Sequence, residues 1–285
     1  MKEKAKVIPK QFDRFGSLLE FVTRVEKINP SEKWPKPPTE ASDKADEGFS
    51  LTKNRAAALK LAREGWTDGL KQIKQALLEI DAPPQVLPEP WQDVSGEIFN
   101  LDAVLQGQPE DMICYLPQES TKPRVIRIAF DFGHSANVDT QDIIDRGAAI
   151  ASAVNDIEAA NIRVELVAYA VMAPGSGSSG GRSSTPKTFT SITIKEPDAH
   201  LDMERLVFVC AHPSFLRRLY FRYCEGMPDF WARCGSGYGT PQTATEKDFE
   251  KLVGNGPTIK VDLSESTAKR VGASIKAQLE TICNP

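Results

Sequence analysis

From residue 124 the chain keeps a rhythm that few folds accommodate: strand, helix, strand. "RVIRIAFDF" and "IRVELVAYAV" are apolar, β-rich runs. Between them "VDTQDIIDRGAAIASAVNDIEAAN" places apolar side chains at Ile143, Ile144, Ala148, Ile150, Ala151 and Val154. That spacing is one face of a helix, with Asp139 or Thr140 as its start cap. Two strands joined through such a helix run parallel, with a right-handed crossover.

The rest of the C-terminal half extends the pattern. After the low-complexity loop "MAPGSGSSGGRSSTPK", "TFTSITIKE" alternates like an edge strand. "RLVFVCA" reads as a further buried strand, followed by a helix, "PSFLRRLYFRYCEGM", with Pro213 in its first turn. "DFWARCGSGYGTPQTAT" reads as a Gly-rich loop. "PTIKVDL" and "SESTAKRVGASIKAQLETI" read as a last strand and helix, with Ser264 or Ser266 as cap. The expected fold class is α/β, a mostly parallel sheet sandwiched by helices, with one antiparallel edge hairpin.

Upstream the signals are helical and Pro-rich. Residues 12–28 space Leu18, Phe21, Val22 and Val25 along one helix face. "NPSEKWPKPPTEASDKADEG" reads as an extended surface connection. Residues 52–64, capped by Thr52, and 68–80 form a helical hairpin around "GWTDG". Its second helix offers only Lys71, Gln72, Lys74 and Gln75 for reading bases, so a DNA-binding helix-turn-helix is not the expectation. The expected organisation is a helical N-terminal region over 1–81, a Pro-rich connection over 82–123, with a strand or ordered arm at 109–117, and an α/β domain over 124–285.

In open α/β sheets ligands bind beyond the carboxyl ends of the strands. Three of the expected strands end in polar residues: Asp131, Gly133, His134 and Ser135 after the first, His212 and Ser214 in "CAHPS", and Asp262 and Ser264 in "VDLSES". Ser214 and Ser264 read as helix caps. Asp131 stands about eight residues ahead of its helix and is not the cap.

"DFGHS" after the first strand and the later "GYGTP", in a β–α–β–β order, resemble a von Willebrand factor A-type domain over residues 124–283. That resemblance implies a divalent cation, Mg²⁺ or Mn²⁺, held by Asp131, Ser135 and Thr240 and completed by a partner's carboxylate. Gly133 stands where the family has a serine, and Ala211 and His212 stand where it has an acidic pair. "GFSLTKNRAAALKLAREGWTDG", "FDRFGSLLEFV" and "FVCAHPSFLRRLYFRYCE" resemble an uncharacterised bacteriophage protein family, which implies a viral origin and brings no assigned activity.

Other signals are set aside. "PGSGSSGGRSS" has Gly181 where a phosphate loop needs Lys, and no helix is expected after it. In "SFLRRLYFRYCE", Phe215, Leu219 and Tyr223 form a core stripe and the arginines sit on its flank, against nucleic-acid binding. A net charge of −4 points the same way. The five cysteines form no C-x-x-C pair, and Cys210, Cys224 and Cys234 read as small buried hydrophobes in a reducing, cytoplasmic setting, the host cytoplasm if the protein is viral. No apolar run reaches the ~18 residues of a membrane span, and the start lacks the apolar core of a secretory signal.

The expected function is a non-enzymatic protein-binding or assembly module whose crevice is built from Asp131, Gly133, His134, Ser135, His212, Thr240 and Asp262. The alternative is a hydrolase using Asp131 with His134 or His212 and Ser135, although no G-x-S-x-G elbow is present.

Overall fold

The structure, a computed structural model, describes residues 10–28, 47–77, 91–94, 98–110, 112–114, 125–160, 162–174, 188–227, 238–265 and 267–283. The expected connection after residue 28, the loop after residue 174, most of the Gly-rich loop, Cys234 and Ser266 lie outside the described residues.

In chain order the first elements are β1 (Gln11–Phe15), α1 (Leu18–Glu26), α2 (Glu47–Ser50), α3 (Arg55–Glu64) and α4 (Thr67–Leu77). A small antiparallel sheet follows, β2 (Trp91–Asp93), β3 (Ile98–Phe99) and β4 (Met112–Cys114) in the order β2-β4-β3, with α5 (Leu101–Leu105) between its second and third strands. Next come β5 (Val125–Asp131), α6 (Thr140–Ala159), β6 (Arg163–Ala173), β7 (Thr188–Lys195) and α7 (Met203–Ala211). A π-helical segment (Phe215–Tyr220) leads into α8 (Phe221–Glu225), then β8 (Thr240–Pro241), α9 (Glu246–Val253), β9 (Thr258–Val261) and α10 (Ala268–Cys283). Among the described residues no helix is long and apolar enough to cross a membrane.

The main sheet has the order β1-β7-β6-β5-β9. β5 runs parallel to β6 and β9, β7 is antiparallel to β6, and β1 is parallel to β7. Alternation along β5 sends Ile126, Ile128 and Phe130 into the larger core, beneath α1, α3, α6, α7 and α10. Ala129 faces a smaller core with Tyr169, Val171, Phe189 and Leu252, on the α9 side. The α/β architecture and the β5–α6–β6 unit agree with the expectation, and Asp139 caps α6 by accepting from the Gln141 N–H.

Several local expectations are overturned. "RLVFVCA" lies in helix α7, capped by Asp202, and not in a strand. Leu206 to Ala211 are all buried, so the run has no polar face to reveal a helical period, and a short all-apolar run fits strand and helix alike. Residues 12–28 are not one helix: β1 comes first, then Gly16, then α1 with Ser17 as cap. β7 is no edge strand, because β1 covers its outer side. Helix α3 is capped by Asn54, while Thr52 accepts a hydrogen bond from Arg218. Thr267, and not Ser264, accepts from the Arg270 N–H at the start of α10.

The segment "PSFLRRLYFRYCE" is helical and buried, as its aromatic stripe implies, but its arginines are not on a flank. Arg217, Arg218 and Arg222 are buried, and they hold backbone carbonyls of Phe49, Val138, Thr52 and Ile28. Cys210 and Cys224 are buried.

Candidate functional site

Strand β6 is 11 residues long and overshoots β5, whose last residue, Asp131, pairs with Tyr169. Beyond that point β8 takes the vacated side of β6, pairing Pro241 with Met172 and Thr240 with Ala173. Gly239 permits this approach. Its φ is +94°, and a Cβ there would come 3.0 Å from the Ala173 carbonyl oxygen. The loop after β5, strand β8 and the turn after β9 thereby meet at one end of the sheet. They enclose, with α6, a cavity of about 580 Å³.

Four of the residues expected from the sequence line this crevice: Gly133, His134, Ser135 and Thr240. Its walls also use Ile143, Met172 and Leu263, with Phe221 and Tyr238 stacked at 3.9 Å. The structure adds Arg146 from α6 as a polar wall. The Arg146 guanidinium donates from Nε to the Glu265 carbonyl (2.9 Å) and from Nη2 to the Asp262 carbonyl (3.3 Å), tying α6 to the end of β9. The sequence does not flag it, because Arg146 follows another charged residue, Asp145, which is exposed.

Asp131 sits beside the crevice but is closed from it. Alternation places its side chain on the smaller-core face, and it is 1% exposed. Its Oδ1 accepts from the Gly133 N–H at 2.8 Å. Its Oδ2 is buried and, among the described residues, has no hydrogen-bond partner; the same holds for the Tyr169 hydroxyl on the neighbouring strand. Burial pushes the Asp131 carboxyl up to about 7, with the Gly133 N–H and the Arg146 charge opposing. A Cβ at position 133 would lie 3.0 Å from Asp131 Oδ1, 3.4 Å from Met172 and 3.5 Å from Pro241, so a serine there would press the Asp131 carboxyl back by a few tenths of an ångström.

The remaining residues divide. Half-buried His134 is pushed down to about 3 by burial, reinforced by the positive charges of Arg146 and Arg217. Ser135 is exposed, and its hydroxyl accepts from the Asn137 N–H at 3.4 Å. Asp262 turns away into its own loop, where Oδ1 accepts from the Ser264 N–H (2.9 Å) and hydroxyl (2.6 Å). Burial raises its pKa, but those bonds together with Lys260 and Arg146 outweigh it and hold the carboxyl low. His212 is not in the crevice. It lies within the helix layer between α7 and the π-helical segment, 4.5 Å from the Trp66 ring, because the strand expected to carry it to the sheet edge is a helix.

Among the described residues no group of three or more His, Cys, Asp or Glu side chains is placed to hold a metal ion. The candidate set of Asp131, Ser135 and Thr240 combines one enclosed carboxylate with two exposed hydroxyls, a poor fit to a hard cation that seeks six oxygens.

No curated protein and no solved structure matches the chain. One family does. With a match that runs from residue 3 to residue 263, from ahead of β1 to just beyond β9, the chain belongs to the domain of unknown function DUF7192.

Proposed function

We propose that this chain is a protein-binding or assembly module without catalytic activity, and that the crevice at the carboxyl end of the sheet takes the partner. The observation that carries this reading is the convergence of Gly133–Ser135, Tyr238–Pro241 and Leu263 on one cavity. Apolar walls supply contact area there, while Ser135, Thr240 and Arg146 supply a few polar groups for orientation. The meeting of "DFGHS" with Tyr238–Pro241 at one sheet end also supports a von Willebrand A-like arrangement. A phage origin and a host-cytoplasm setting rest on the sequence resemblance alone.

In the cation form of this reading, Mg²⁺ or Mn²⁺ sits on Asp131, Ser135 and Thr240. The enclosure of Asp131 favours the cation-free form. The hydrolase reading draws support from the Asp131 carboxyl near neutrality. Against it, His134 is too weak a base, and His212 is occupied elsewhere.

The test pairs binding with melting. Ser135→Arg and Thr240→Arg, both at exposed positions, should abolish capture of a partner from host extract while leaving the melting temperature unchanged. EDTA, Mg²⁺, Mn²⁺ and Zn²⁺ should leave wild type and Asp131→Ala unmoved, since a cation bound only by the folded state would raise melting. Hydrolysis of an activated ester that disappears in Ser135→Ala would overturn the binding reading in favour of the enzyme.

A further inference from the structure

Helix α5 is built inside out. Leu101, Val104 and Leu105 are 67%, 41% and 77% exposed, whereas Ala103 is buried. Positions i, i+3 and i+4 share one helix face, so these three side chains form a continuous apolar stripe that a surface helix would normally turn inward. Val94, at the end of β2, is exposed as well. The charges around the stripe are of one sign: Asp102 and Glu110 are exposed, and residues 98–110 contain no Lys or Arg.

Elsewhere a groove of about 760 Å³ runs between α6 and α10. Ala149, Ala153 and Ile157 form one wall, and Gly272, Ile275 and Leu279 the other. A Cβ at Gly272 would meet nothing within 4 Å, so the groove is open at its centre. Lys269 and Lys276 stand exposed along the α10 wall, three residues before and four after Gly272. Of the acids on the rim, Asp156 accepts from the Ser152 hydroxyl at 3.4 Å, and Glu280 lies at the far end, one turn past Lys276.

We propose that α5 of one copy docks its Leu101–Val104–Leu105 face into the α6–α10 groove of a second copy. The two surfaces complement one another in three respects. An apolar ridge meets an apolar groove, small residues at 153 and 272 admit a close helix, and Asp102, with no basic residue near it in the chain, meets two lysines. Because ridge and groove are different surfaces of the same chain, the contact is head-to-tail. Each docked copy then offers a fresh groove and a fresh ridge, which yields rings or open filaments. One five-residue helix covers less area than a stable dimer needs, so a single contact is weak and association depends on concentration. None of these residues belongs to the crevice, and the inference stands or falls separately from the partner-binding reading.

Sedimentation velocity on the full chain, over about a hundredfold range of concentration, tests this by mass action. The wild-type sedimentation coefficient should rise with concentration past that of a dimer. Leu105→Asp and Gly272→Glu should each hold the chain at monomer with no loss of melting temperature, since one position is exposed and the other opens on empty space. Mixing the two variants should restore one species of two copies and no more, because only one intact ridge and one intact groove remain per pair. Asp102→Lys should weaken wild-type association a few-fold, and Lys269→Asp with Lys276→Asp should recover it. A wild type that stays monomeric throughout, association that survives both single variants, or a mixture that stays monomeric would each overturn the proposal.

Discussion

His212 Nδ1 lies 3.1 Å from the backbone nitrogen of Ser214 and 2.8 Å from its hydroxyl, so the imidazole caps the helical segment that begins at Pro213. Accepting the N–H bond requires the neutral ring. Burial holds the His212 pKa down to about 4, against 6.5 for the unfolded chain. The linked stability is fully present above the unfolded value and is lost as pH falls from there through 4. It amounts to about 3 kcal/mol at most. Urea unfolding should show wild type weakening between about pH 7.5 and 4, and His212→Asn, which keeps an acceptor, weakening less. An equal pH slope in both chains would remove His212 as the titrating cap.

The sign reverses at Asp131. Its folded pKa, about 7, exceeds the ordinary 3.8, so its contribution is fully present below the ordinary value and is lost as pH rises through 7. Above that range the buried carboxylate is a cost that Asn does not carry, while Asn retains an oxygen for the Gly133 N–H. Asp131→Asn should therefore stabilise the fold at about pH 8, on the order of 4 kcal/mol, and change little at about pH 4. Urea midpoints at the two pH values measure it, and an equal gain at both would refute the assignment.

Arg217 pins the crevice rim from behind. Its guanidinium donates to the carbonyls of Phe49 (2.6 Å) and Val138 (2.9 Å), and lies 3.8 Å from the Phe49 ring centre. Lysine cannot reproduce this fork. Arg217→Lys should cost about 1 kcal/mol by leaving part-buried carbonyls unsatisfied. Amide exchange should quicken at residues 136–140 and 47–50 together. If one segment quickens alone, the arginine does not couple the two.

Gly147 is where α6 crosses α7. A Cβ there would come 2.3 Å from the Cys210 carbonyl oxygen and 2.4 Å from the Ala211 Cα, both backbone atoms that cannot rotate aside. Gly147→Ala should lower stability by about 3 kcal/mol despite alanine's better helix propensity. Gly272→Ala, with nothing within 4 Å, should instead stabilise by about 0.5 to 1 kcal/mol. Thermal melting of the pair makes each the control of the other.

What could be read from the residues depended on whether a segment has two unlike faces. Thr140–Ala159 shows its helical period toward its two ends, where Gln141, Asp142, Asp145 and Asn155 are exposed, and Thr258–Val261 alternates between buried and half-buried residues. Leu206–Ala211 is buried all round, so its period is invisible, and nothing in the run shows that His212 belongs to the helix layer and not to the sheet edge. β1 was hidden for another reason: five residues gain their strand identity only from β7, far along the chain. Within the crevice, the cluster at 133–135 and Thr240 were legible as polar residues beside strand ends. Arg146 was not, since its partners are backbone carbonyls that no side-chain pattern announces.

The position of β1 also sets an order of events. It pairs along its length with Thr188–Ile192 and stacks Phe12 on Phe189 at 4.4 Å. A ribosome therefore releases β1 long before the strand it needs exists. Until β7 has paired with β6, Phe12 and Phe15 have no sheet to join, and the growing chain carries a sticky, unmatched strand. Docking of β1 therefore has to wait for β7. A chain lacking its first fifteen residues would finish with β7 as a bare edge, open to a strand from any neighbouring molecule.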